Sequence, residues 1–226
     1  PKLPTQAEGS KGEPFAWEAK EFMRKLLIGK NVEIDVEYTK VPKQDEKSKI
    51  PKRPMTFVNV ITPDERCANV EIVAAGLALA INPRLDEQLS QYYQQVMDAA
   101  AKAKREKKGV NSSSANPPVH TYQSLIGRLN PKTLAYYQDL FRKASNVEGV
   151  VEYCFTASRL KIRIDQMSCQ IPFICQGLQP IQQDPNVPEL QTIFLQGQKF
   201  AKRILLQRDV KLSINSSDRR GNFFGT

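Results

Sequence analysis

A single histidine, His120, stands in the 226-residue sequence, inside a Pro-Pro-Val-His-Thr stretch. A Ser/His/Asp hydrolase or a multi-histidine metal centre therefore has almost nothing to be built from. The four cysteines, Cys67, Cys154, Cys169 and Cys175, form no C-x-x-C pair, which excludes a zinc clip and a thioredoxin motif. Three of them lie in or beside strand-like apolar stretches and read as buried thiols of a reducing compartment. No window approaches the run of about 18 uncharged apolar residues that a membrane-spanning helix needs. The chain opens Pro-Lys-Leu-Pro, without a basic and apolar leader, so a soluble fragment with no visible address is expected. Acidic residues are in deficit, 24 against 33 basic, for a net charge of +9. That balance favours an anionic partner such as nucleic acid, without deciding between RNA and DNA.

Apolar material is sufficient for a fold: 40% of residues are hydrophobic, with ten Phe and seven Tyr. Charge is unevenly placed. Residues 1–112 hold 19 basic and 16 acidic groups, whereas 113–226 hold 14 and 8. Two clusters stand out in the first half, the loop Lys40–Arg53 and the helix tail Lys102–Lys108.

Phe15, Ala19, Phe22, Met23, Leu26 and Leu27 recur at helical steps and Gly29 ends the run, which predicts a capped amphipathic helix. Val32, Ile34 and Val36 alternate with acidic residues as a half-buried strand, and Met55–Thr62 reads as a second. A short helix over Ala68–Leu79 and a long one over Arg84–Lys108 follow, the latter with Tyr92 and Tyr93 on or beside its apolar stripe. The composition of 111–120 suits a linker. Pro131–Ala144 reads as a linking helix, and Val150–Phe155, Arg159–Asp165 and Gln170–Gln176 as an antiparallel meander of three strands. The predicted organisation is thus 1–112, a linker with helix over 113–147, and 148–226.

The strongest internal signal is a repeat. Phe22–Val36 lies on Phe200–Ile214 at an offset of 178 residues without a gap, with aromatic, paired-basic, triple-apolar and alternating positions coinciding. One full unit would run three strands, helix, two strands, then helices. That is the order of an α+β, five-stranded OB-fold barrel of the staphylococcal nuclease type.

Four stretches carry a closer likeness: Glu13–Lys30, Ile72–Ala78, Val151–Lys161 and Leu206–Val210. In these motifs the chain resembles the tandem nuclease-like repeats of the Tudor staphylococcal nuclease family, in the order of the back of the third repeat and the front of the fourth. On that resemblance the first repeat is expected to lack its opening three strands, and the second its fifth strand and closing helices. The resemblance implies a cytoplasmic RNA-binding scaffold, with the nucleus as a second location. Its implied associates are single- or double-stranded RNA and the proteins of RNA silencing, splicing and transcription complexes, with no membrane.

The resemblance also implies ribonuclease chemistry in the family, which needs carboxylates to hold calcium and activate water, plus arginines to neutralise developing charge. Gln179 and Gln182 stand where those carboxylates are expected, and Ile174 roughly where one arginine is. Asn222 falls near the second arginine position, with Arg220 two residues early. No catalytic residue, metal ligand or cofactor is therefore expected in this chain, calcium entering only with a nuclease site elsewhere. Whether the whole protein cleaves RNA stays open, as does a role as a protein-interaction adaptor.

Binding does not need those groups. Period-two alternation puts Arg159, Lys161 and Arg163 on one strand face, which could follow a phosphate backbone or simply be the solvated outside of a barrel. Lys102, Arg105, Lys107 and Lys108 either favour the helix dipole or contact RNA. Arg219 and Arg220 complete the candidate set. Tyr92 and Tyr93 could offer a ring to a base or pack in the core.

Overall fold

The computed structural model describes residues 12–40, 54–82, 89–113, 117–127, 130–144, 146–179 and 187–226. The basic loop 40–53, apart from Lys40, and Gln182 lie outside them. The chain divides into two compact units, Pro1–His120 and Thr121–Thr226.

In the first unit, helix α1 (Ala16–Leu27) leads into an antiparallel pair, β1 (Glu33–Lys40) and β2 (Met55–Ile61), followed by α2 (Ala68–Ala74) and α3 (Tyr93–Arg105). Ala16, Ala19 and Leu26 give α1 a buried face, and Glu21 and Arg24 are buried together, Arg24 Nε donating to Glu21 Oε2 at 2.9 Å. A buried charge is tolerated when its partner is buried beside it. Near the start of α1, the Trp17 ring stacks on His120 at 4.2 Å, and His120 Nε2 lies 2.9 Å from Glu18 Oε1. The lone histidine is thus a packing residue of this unit. Of the helix expected over Arg84–Lys108, residues 84–88 lie outside the described residues and α3 starts at Tyr93, where Ser90 makes a turn: its Oγ accepts from Tyr92 N and its carbonyl from Tyr93 N. After α3, Val110 N donates to Gly76 O at 2.8 Å, which ties the end of the basic stretch to the end of α2.

The second unit contains β3 (Gln123–Ser124), α4 (Pro131–Lys143), β4 (Val147–Cys154), β5 (Arg159–Ile164), β6 (Cys169–Cys175), α5 (Pro188–Leu205), β7 (Asp209–Leu212), β8 (Ile214–Ser217) and β9 (Phe223–Gly225). The expected meander is β4–β5–β6, antiparallel throughout. The sheet order is β7-β4-β5-β6-β9-β8. Its two ends, β7 and β8, are successive segments of one run separated by Ser213, so the sheet closes on itself as a barrel. Ser213 and Thr226 seal this seam by exchanging backbone hydrogen bonds at 2.7 and 3.0 Å.

The expectation that the second repeat lacks its fifth strand is therefore corrected. Phe223–Gly225 is that strand, parallel to β6 and antiparallel to β8. Only three residues long, it is below the length at which alternation can be read. The helix assigned to a linker, α4, belongs to the second unit. Its Leu134 and Phe141 enter the barrel core with Val151, Ile162, Ile171 and Phe223, and the Phe141 ring meets Phe223 edge-on at 4.9 Å. Cys67, Cys154 and Cys169 are buried and Cys175 half-buried, all four as free thiols.

Candidate nucleic-acid interface

Strand β5 carries the predicted basic face, and the structure splits it. Arg159 is exposed and Lys161 half-buried, but the Arg163 side chain is 1% exposed. Its Nη1 donates to Glu152 Oε1 at 2.7 Å and its Nε to Asp165 Oδ1 at 2.7 Å, while its guanidinium lies 5.6 Å from the centre of the Tyr122 ring. Tyr122 OH also donates to Asp165 Oδ1 at 2.9 Å. Arg163, itself buried, thus holds together an ion-pair cluster whose Glu152 is mostly buried and whose Asp165 is exposed, and it leaves the phosphate-binding set. Alternation gave its face correctly, but not the segment that covers that face.

The β8–β9 turn supplies the second group. Asp218 Oδ1 accepts from the backbone N–H groups of Arg220 and Asn222, and Asp218 Oδ2 accepts from Asn222 Nδ2 at 2.7 Å. Partial burial opposes the charged carboxyl, yet these hydrogen bonds outweigh it and hold Asp218 below the ordinary carboxylate range. Arg219 and Arg220 are exposed on this turn. Arg159 Nη2 donates to Asn222 Oδ1 at 3.4 Å, so the start of β5 and the β8–β9 turn meet. Three predicted cations, Arg159, Arg219 and Arg220, are thereby brought to one end of the barrel, with Lys161 two residues along β5.

Gln179 is exposed and lines a small cavity of about 120 Å³ with Leu178, Ile193 and Phe194; no carboxylate is among its described lining residues. Ile174 sits opposite Arg159 across the β5–β6 ladder. Calcium needs six or more oxygen ligands, usually with carboxylates among them. Among the described residues no group of three or more His, Cys, Asp or Glu could hold a metal ion. Glu152 and Asp165 are engaged by Arg163, and Asp218 by its own turn. The described residues do not fit a calcium site.

In the first unit, Lys102, Arg105, Lys107 and Lys108 are all exposed at the end of α3. Lys108 Nζ lies 2.6 Å from Glu106 Oε2, and that hydrogen bond holds the Glu106 carboxyl below its usual range. Tyr92 and Tyr93 are half-buried at the start of α3.

Sequence reasoning passed over a group of rings beside the β5 cations. Tyr153 on β4 is 47% exposed and meets Phe155 edge-on at 5.2 Å. The Arg159 guanidinium lies 5.4 Å from the Phe155 ring centre, and Lys202 Nζ of α5 lies 5.8 Å from that of Tyr153. The two aromatics flanking Cys154 were a visible signal. The β-bulge between Val151 and Tyr153, which turns Tyr153 outward, was not.

Residues 2–113 match the family of staphylococcal nuclease homologues. The whole chain is 28% identical to "Ribonuclease TUDOR 2" of Arabidopsis thaliana and 27% identical to "Ribonuclease TUDOR 1" of the same plant, covering 24% and 25% of their lengths. Over 92% of the chain, identity to "Staphylococcal nuclease domain-containing protein 1" of Drosophila melanogaster is 25%, covering 22% of that protein. The chain spans about a quarter of the length of these relatives. The repeated helix-into-strand unit, the closed five-stranded barrel and these matches agree: the chain belongs to the Tudor staphylococcal nuclease family.

Proposed function

We propose that this chain is an RNA-binding segment of a nuclease-like scaffold, and that its second unit binds without cleaving. The observation that carries the proposal is the meeting of Arg159 with the β8–β9 turn. It gathers exposed cations at one end of a barrel in which, among the described residues, no group of three or more His, Cys, Asp or Glu could hold a metal ion. Cations in this arrangement neutralise phosphates whatever the base sequence. Hydrolysis needs in addition a general base or a metal-activated water, and a glutamine amide such as Gln179 is neither. The basic stretch Lys102–Lys108 is a second, separate phosphate-binding surface in the first unit. On the same reading the protein acts in the cytoplasm, within silencing, splicing or transcription assemblies, and calcium is not its cofactor here.

Affinity for RNA should fall steeply with salt, with a slope of roughly −0.7 per phosphate contact for a single strand. Replacing Arg159, Lys161, Arg219 and Arg220 together with alanine should flatten that slope by up to about 3. No binding at low salt would refute the proposal, and an unchanged slope in the variant would remove this end of the barrel from it.

A further inference from the structure

We infer that Tyr153, with Phe155 beside it, is a base-stacking platform, so that the RNA this barrel takes is single-stranded with exposed bases. This rests on the RNA-binding reading and goes beyond it, since phosphate contacts alone do not distinguish a single strand from a duplex. Three observations carry the inference.

The first is that the aromatic ring is outside the core. On β4 the neighbours Val151 and Cys154 are fully buried, but the bulge between Val151 and Tyr153 breaks the alternation and leaves Tyr153 47% exposed. Bulges commonly re-aim a side chain in this way.

The second is the company it keeps. Tyr153 faces Lys161 across the β4–β5 ladder, has Lys202 over its ring, and touches Phe155, over whose ring Arg159 lies. A ring with a cation over part of its face can stack a base beside that cation, which then meets the flanking phosphate.

The third is charge. The partners of Arg159 and Lys202 among the described residues are neutral: Asn222 and the Phe155 ring for one, Gln198 and the Tyr153 ring for the other. Among the described residues no carboxylate pairs with either cation, which suits an anionic strand. A duplex would hide its base faces and offer such a ring little to stack on.

The test compares the full chain binding a single-stranded RNA of about 10 nucleotides with a ribose-phosphate strand of equal length that lacks bases. Stacking one base should favour the base-bearing strand about tenfold or more, about 1.4 kcal/mol or more. Tyr153→Ala should abolish that preference without changing the salt slope, because no phosphate contact is lost, and Tyr153→Phe should keep it. Equal affinity of the unaltered chain for both strands would overturn the platform while leaving phosphate binding intact. So would a Tyr153→Ala variant that retained the preference. Binding of neither strand would instead bring down the RNA-binding reading itself and leave the patch to a protein partner.

Discussion

Arg163 and Glu152 face each other from neighbouring strands, Nη1 to Oε1 at 2.7 Å, with the arginine side chain 1% exposed. Removing one member of a buried pair strands the other's charge, at about 3–5 kcal/mol. Arg163→Ala should therefore lower the unfolding free energy of the second unit by about that amount. Any effect on RNA would follow from unfolding and would leave the salt slope of the folded fraction unchanged. Chemical denaturation checks this, and a variant of parental stability would show that the cluster is solvated.

Gly29 and Gln207 occupy the same place in the two copies of the repeat, 178 residues apart, and both are left-handed, with φ of 81° and 60°. The helices before them end at Leu27 and Leu205, also 178 apart. Such a residue closes a helix, and any side chain other than glycine's strains it by about 1–2 kcal/mol. Gly29→Ala should destabilise the first unit by about 1 kcal/mol. Gln207→Gly should be nearly neutral. The strain it relieves is offset by losing the hydrogen bond from Gln207 Nε2 to Glu152 O, worth about 1 kcal/mol. Thermal melting of the two variants should show this asymmetry, and equal losses in both would refute it.

Burial pushes the Cys169 thiol from 9.0 up to about 12, so the folded chain holds it neutral where the unfolded chain ionises it. The thiol's contribution to stability is intact below about pH 9 and is lost as pH rises through about 12, at about 1.4 kcal/mol per pH unit. Cys154 and Cys175 are shifted in the same direction, again by burial first. Stability measured between pH 8 and 11 should fall less in Cys169→Ala than in the parent chain. Parallel curves would mean that Cys169 is not buried as described.

Much of the fold could be read from the sequence because its signals are local. The helix-into-strand unit carries its own cap and alternation, and both copies form where the offset places them. What escaped depended on contacts distant in sequence or on too few residues. Tyr122 and Glu152 approach Arg163 from 41 and 11 residues away, so alternation within β5 could not show that this cation was spoken for. The strand Phe223–Gly225 is held by β6 and β8 rather than by any pattern of its own. At the candidate site, the residue types of Arg159, Arg219 and Arg220 were legible, but their meeting through Asn222 was a product of barrel closure. The bulge that exposes Tyr153 leaves no mark in composition or spacing.

The bond from Val110 to Gly76 bears on how the first unit meets an anion. At Gly76 a β-carbon would come within 2.6 Å of the Lys108 carbonyl oxygen, and at Gly109 within 2.1 Å of the Gly76 carbonyl oxygen. Two glycines let the backbones touch here, and the main chain of Lys107 and Lys108 is held against α2 instead of trailing away. A loose basic tail must surrender backbone entropy of about 1–2 kcal/mol per residue when it settles on a phosphate backbone. Here most of that ordering was completed when the protein folded, so on the proposed RNA-binding reading the lysines would meet a polyanion already arranged, with only their side chains left to freeze.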